Sequence, residues 1–227
     1  MSTPFLDHIL TNINSLLGAL FLLSAFVLMV ARQVQGFLRG FVRQSLLLAL
    51  SALVLGWLQQ SPELVIVALI TLAAKTLIIP NLLVRTLQPQ IRSRREVDFV
   101  VNTPVSLLVA IGISVLSYFF VVPLLAGASP SVSVNLPVGL DVLLIGVYTL
   151  AIRREAVPQV LAIMAIDNGA FYAGIAITSS SAIVELAAGL EGVIVVLVVA
   201  ILTRTLAENV GTTQVGAMAT LKEGDKP

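Results

Sequence analysis

Residues 9–32 read ILTNINSLLGALFLLSAFVLMVAR, twenty-three positions without a charge closed by Arg32. A bilayer's hydrocarbon core asks for about 20 apolar residues per helix, so this run is long enough to cross. Its apolar residues are continuous rather than alternating, which argues for a helix over a barrel strand. No positive region precedes it and the first cation follows it, so it does not read as a cleavable secretory signal. Six more runs of the same kind follow, at 36–58, 63–84, 102–125, 137–153, 156–178 and 181–204, giving seven expected spans with 9–31. Ser61-Pro62, the stretch from Ala126 to Pro130, and Ser179 to Ser181 read as connections.

Composition agrees. Of 227 residues, 58% are apolar and 11% charged, against roughly 25% charged in an ordinary soluble domain. So few charges cannot clothe a globule of this size, and the natural solvent is lipid. A net charge of +1 gives no bulk attraction to nucleic acid. The chain has no Cys, which excludes disulfides, thiolate chemistry and iron–sulfur ligation. A lone histidine, His8, cannot build a multi-histidine metal or haem centre. Any redox centre of a system containing this chain is expected on other chains.

Counting Lys and Arg sets the expected topology. Arg32, Arg39 and Arg43 follow span one, and Arg85, Arg92, Arg94 and Arg95 follow span three. Arg153 and Arg154 follow span five, and Arg204, Lys222 and Lys226 follow span seven. Twelve of thirteen cations thus fall on one side, which the positive-inside rule assigns to the cytoplasm. The N-terminus is then outside and the C-terminus cytoplasmic. The basic stretch 85–98 reads as a topology determinant and headgroup contact before it reads as a docking site.

The thirteenth cation, Lys75, lies ten residues before Arg85, hence ~15 Å from the interface. Asp167 stands thirteen residues after Arg154 and Glu191 thirteen before Arg204, at similar depth. Asp141 and Glu185 are expected nearer the outer surface. Each such charge costs at least ~2.5–3 kcal/mol to insert, so their presence argues for a proton or ion path. Low dielectric moves carboxylates and lysines toward neutrality, and groups so poised can exchange protons as their neighbours change charge. A structural reading stands beside it: Lys75 pairs with Asp167 or Glu191 and merely holds helices together. Pro80-Asn81 is expected to kink span three. Ala73, Ala74, Ala187, Ala188 and Gly189 read as packing positions, with Gly36 and Gly40 as a small-xxx-small pair.

Two stretches share a plan. Arg32 leads to a span with Gln44, an outer loop, and a span with Lys75 ending at Arg85-Thr86-Leu87. Arg153-Arg154 leads to a span with Asp167-Asn168, an outer loop, and a span with Glu191 ending at Arg204-Thr205-Leu206. Both run in the same direction, as a parallel repeat.

The second unit, 137–227, resembles the small three-helix subunit of respiratory complex I (NuoK type) and its antiporter relatives. The resemblance rests on Arg153-Arg154, on Asn168, on the run from Leu186 to Glu191, and on the tail from Thr212 to Lys222. Residues 1–136 would then be an N-terminal four-helix part of one membrane domain, 1–227. The whole chain resembles component E of hydrogenase-4 and of related formate hydrogenlyase complexes. Here the matches are the run Phe41 to Leu46, Lys75 followed five residues on by Pro80, and Asp167-Asn168-Gly169 where that family has Glu-Asn-Gly. Asp141 stands where that family can carry a His.

The resemblance implies a subunit with no catalytic or cofactor site of its own, in a prokaryotic inner membrane, contributing Glu191, Asp167 and Lys75 to a proton path. Glu191 matches a proton-translocating carboxylate of the complex I family; the other such position falls on Met164, with Asp167 one turn later. The implied partners are an antiporter-like membrane subunit and hydrogenase large and small subunits that carry the nickel–iron site and iron–sulfur clusters. A cation/proton antiporter subunit, complex I itself, a stand-alone small-solute transporter and an inert spacer are the alternatives.

Overall fold

The computed structural model of the chain describes residues 4–86, 101–177 and 196. The described elements run α1 (Pro4–Val30), α2 (Val34–Leu58), α3 (Pro62–Thr71), a π-helical segment (Leu72–Ile78), α4 (Ile79–Thr86), α5 (Thr103–Val121), a 3-10 turn (Val122–Leu125), α6 (Pro130–Ile152) and α7 (Ala156–Ile177). Among the described residues, five stretches are long and apolar enough to cross a membrane: Phe5–Val30, Val34–Leu58, Pro62–Asn81, Thr103–Val121 and Pro130–Ile152. By length and composition the chain is an all-α membrane protein. The run 156–178 forms the 22-residue α7. The run 181–204 lies outside the described residues except for Val196, as does most of 85–98.

Serine–proline pairs start two of these helices. The hydroxyl oxygens of Ser61 and Ser129 accept hydrogen bonds from the amides of Leu64 and Val132. Each prevents one orphan amide at a helix start, while Pro62 and Pro130 supply a preset φ where no N–H is needed.

α6 and α7 form the closest pair, and glycine is the reason. A Cβ on Gly139 would lie 2.4 Å from the Ala173 amide nitrogen, and one on Gly169 would lie 2.4 Å from that of Leu143. The two backbones therefore touch directly, which membrane helices use to gain van der Waals contact. α1 and α2 pack on this pair, and α5 lies at the edge. One apolar cluster joins Leu28, Phe37, Phe41, Leu161 and Met164; another joins Phe21, Leu48, Leu55, Val142 and Ile175. Both combine residues from before and after position 136.

One expected boundary shifts. Span five begins at Pro130, not at 137, because Pro137 sits inside the helix. A proline loses one ladder bond but need not end a membrane helix whose neighbours support it. Asp141 is consequently not one turn from the outer end. It stands eleven residues from each end of α6, ~16 Å in, and is buried. In span three, π-helical winding precedes Pro80, and the Ile79 amide donates to the Ala74 carbonyl five residues back.

Candidate functional site: a buried ion pair and a polar interior

The π-helical segment carries Lys75. Its side chain is 2% exposed, and Nζ lies 2.5 Å from Oδ2 of Asp167 on α7. The ammonium also stands 5.8 Å from the centre of the Phe171 ring, one turn beyond Asp167. The structure thus joins two of the three mid-depth charges singled out in the sequence. Asp167 is the more open partner, with 37% of its side chain exposed. Glu191 and Glu185 lie outside the described residues. A π segment widens the helix and offsets the side chains that follow by a fraction of a turn, a departure that is frequent at functional positions.

Beside the pair, the Asn168 amide donates to Ser45 Oγ at 3.1 Å and to Gln44 Oε1 at 3.4 Å, all three residues being buried. Gln44 and Asn168 are the polar positions that the internal repeat sets in correspondence, and in the fold they meet. Gln44 Nε2 and Asn168 Oδ1 are buried without a hydrogen-bond partner, which leaves one donor and one acceptor in this cluster for a water.

A second network lies toward the end of the bundle where α1 and α6 begin. Asn14 donates to Asn135 Oδ1 at 2.9 Å, and Ser51 donates to Asn14 Oδ1 at 2.7 Å. The Tyr172 hydroxyl lies 3.3 Å from both Ser51 Oγ and Asn135 Oδ1. Four helices are pinned here. Gly18 makes the room: a Cβ there would stand 2.9 Å from the Tyr172 hydroxyl, whose ring stacks on Phe21 with centroids 4.4 Å apart. The signal was weak: Asn14 stands among Thr11, Asn12 and Ser15, and Asn135 follows Ser131 and Ser133 just before the expected start of span five.

Arg153 caps the end of α6, the place expected for it after span five, but its side chain turns inward. It is 2% exposed, donates to the Met29 carbonyl in the last turn of α1, and lies 4.9 Å from the Phe37 ring centre. A cation over the unsatisfied carbonyls of a helix C-terminus complements its dipole. Gln159 in turn donates to the Arg153 carbonyl at 2.9 Å.

Asp141 faces elsewhere. It lines a cavity of about 490 Å³ between α5 and α6, with Leu22 of α1 at one wall. Among the described residues, no group of three or more His, Cys, Asp or Glu could hold a metal ion.

Comparison with known proteins adds one relative. The chain is 28% identical over 203 residues, 88% of its length and 92% of the other's, to a Mycobacterium tuberculosis protein described as uncharacterized protein Rv0085. No family model matches the chain. No solved structure matches it either.

Proposed function

We propose that this chain is a membrane subunit of a complex I-like proton-translocating oxidoreductase, of the membrane-bound [NiFe] hydrogenase or formate hydrogenlyase kind. In this reading it crosses a prokaryotic inner membrane seven times, with the N-terminus outside and the C-terminus in the cytoplasm. Its partners are an antiporter-like subunit and hydrogenase large and small subunits that hold the nickel–iron site and the iron–sulfur clusters. Its own contribution is titratable: Lys75, Asp167 and Glu191 form one link of a proton path.

The observation that carries the reading is the Lys75–Asp167 pair, held at 2.5 Å in a π-helical turn far from either end of its helices. A charge pair inside the membrane is costly to build and marks ion pathways more often than ornament. Asp167 meets Lys75 through Oδ2 while part of its side chain stays open, so a second titratable group has an approach to it. When a proton reaches the carboxylate, the ammonium loses its counter-charge.

The test is the ratio of protons pumped to electrons transferred in membranes carrying Asp167→Asn, normalised to assembled complex. The ratio should fall roughly tenfold or more, because an amide can neither take nor give the proton. Glu191→Gln should do the same, and Glu191→Asp should retain part of the pumping. An unchanged ratio with a reduced yield of complex would mean the pair is structural.

A further inference from the structure

The cavity between α5 and α6 has no part in the ion-pair site and shares no lining residue with it. Its walls include Leu22, Val115, Phe119, Val134 and Val138, and its polar lining residues include Asp141, Ser114, Ser117 and Ser133. Asp141 is 5% exposed and Ser117 1% exposed. Asp141 Oδ1 and Ser117 Oγ are both buried without a hydrogen-bond partner. Ser114 already donates to the Ala110 carbonyl at 3.1 Å, and Ser133 to the Ser129 carbonyl at 3.0 Å. Their hydroxyl oxygens keep accepting capacity. Pro137 adds to this set, since it brings no N–H and so deprives the Ser133 carbonyl of its usual helical donor. The cleft therefore presents oxygen acceptors and a carboxylate, and none of its lining residues is a Lys, Arg or His.

Asp141 has Ser114 beside it, but a carboxylate at mid-depth calls for a positive partner, and none lines the cavity among the described residues. At about 490 Å³ the space falls within the ~300–1,000 Å³ typical of small-molecule sites. An inorganic ion would fill little of it and would leave the apolar walls unmatched. We infer that the α5–α6 cleft binds a protonated amine carrying a compact apolar body. Asp141 is the counter-ion, Ser117 and the Ser133 carbonyl accept from the ammonium, and the Tyr118 and Phe119 rings stand at the wall, where a cation gains from an aromatic face. This goes beyond the proton-path reading and does not depend on it, because binding is read without turnover.

The probe is radiolabelled 1-adamantylamine, with 1-adamantanol as the neutral body of the same shape, on the full chain with whatever subunits accompany it in lipid nanodiscs. The amine should bind saturably, and Asp141→Asn should weaken it by roughly tenfold or more, as loss of one partner of a desolvated charge pair does. Ser117→Ala should also weaken it, by about tenfold, for one hydrogen bond to a charged group. 1-Adamantanol should fail to compete on the unaltered chain, a comparison that needs no variant to fold. Equal binding of amine and alcohol, equal binding to Asp141→Asn, or displacement by millimolar sodium chloride but not choline chloride would each overturn the assignment. The last outcome would mark an inorganic-cation site instead.

Discussion

Lys75 and Asp167 can be separated into charge and chemistry by substitution. Removing one member of a buried pair strands the other, at about 3–5 kcal/mol. Lys75→Ala alone should therefore lower the yield of folded protein sharply. Lys75→Ala with Asp167→Ala removes both charges and should recover much of that yield while leaving proton translocation absent. Recovery of both yield and pumping in the double variant would assign the pair to structure alone. Arg153 poses the simpler case. Arg153→Ala unsatisfies the Met29 carbonyl and empties the space over Phe37, so detergent-solubilised protein should lose about 1–3 kcal/mol in a thermal unfolding series. The sequence announced that a charge stood at each of these positions, but not which neighbour it meets. Lys75 had two carboxylates at matching depth; the fold places Asp167 in contact with it, while Glu191 lies outside the described residues. Arg153 read as a loop cation because loop cations follow spans; that it turns back onto the end of α1 depends on packing between segments 124 residues apart.

At the scale of elements, α6 and α7 are held by backbone proximity rather than by interlocking side chains. A methyl at Gly139 or Gly169 meets main-chain atoms at 2.4 Å, which no rotamer change relieves. Gly139→Ala and Gly169→Ala should each cost about 1–3 kcal/mol or more and splay the pair. Gly112→Ala on α5 is the control, since nothing lies within 4 Å of its Cβ. A helical Gly→Ala there should be neutral or stabilising by about 0.5–1 kcal/mol. Equal effects at Gly139 and Gly112 in a thermal unfolding series would remove close approach as the explanation. Apolar run length located these helices well, because the cost of unsatisfied backbone in lipid leaves few other structures. Pro80 stands inside span three, as run length implies, with a π turn before it, whereas Pro137 lies within α6 rather than at its start: the local signal of a helix-breaker does not report that a neighbour absorbs the lost bond.

Across the whole molecule, alternation of the helices brings the ends of α1 and α6 to the same end of the bundle, where Arg153 meets Met29. Arg32 and Arg154, next in sequence to those helix ends, belong to that end too, while the Gln59–Ser61 turn and Ala126–Ser129 belong to the other. α5 leaves Leu108, Ile111, Leu116, Phe119 and Phe120 largely exposed on the described surface, a face suited to lipid or to a partner subunit. Mild-detergent purification should accordingly bring down a complex containing iron–sulfur protein if the proposed role holds; a monodisperse single chain that transports a solute would favour the stand-alone transporter. Orientation is a separate question with its own test. Insertion favours retention of Lys and Arg on the cytoplasmic side, and the outer connections carry neither. Because the chain has no Cys, one introduced at a time reports unambiguously. Cysteine in place of Ser129, at the start of α6, should react with an impermeant maleimide in intact cells. Cysteine in place of Ser93, within the basic stretch 85–98, should react only after the membrane is opened. The opposite pattern would invert the molecule, placing its arginine-rich end outside. Labelling of both positions in intact cells would require an even number of spans between them, and the seven-span arrangement would fall.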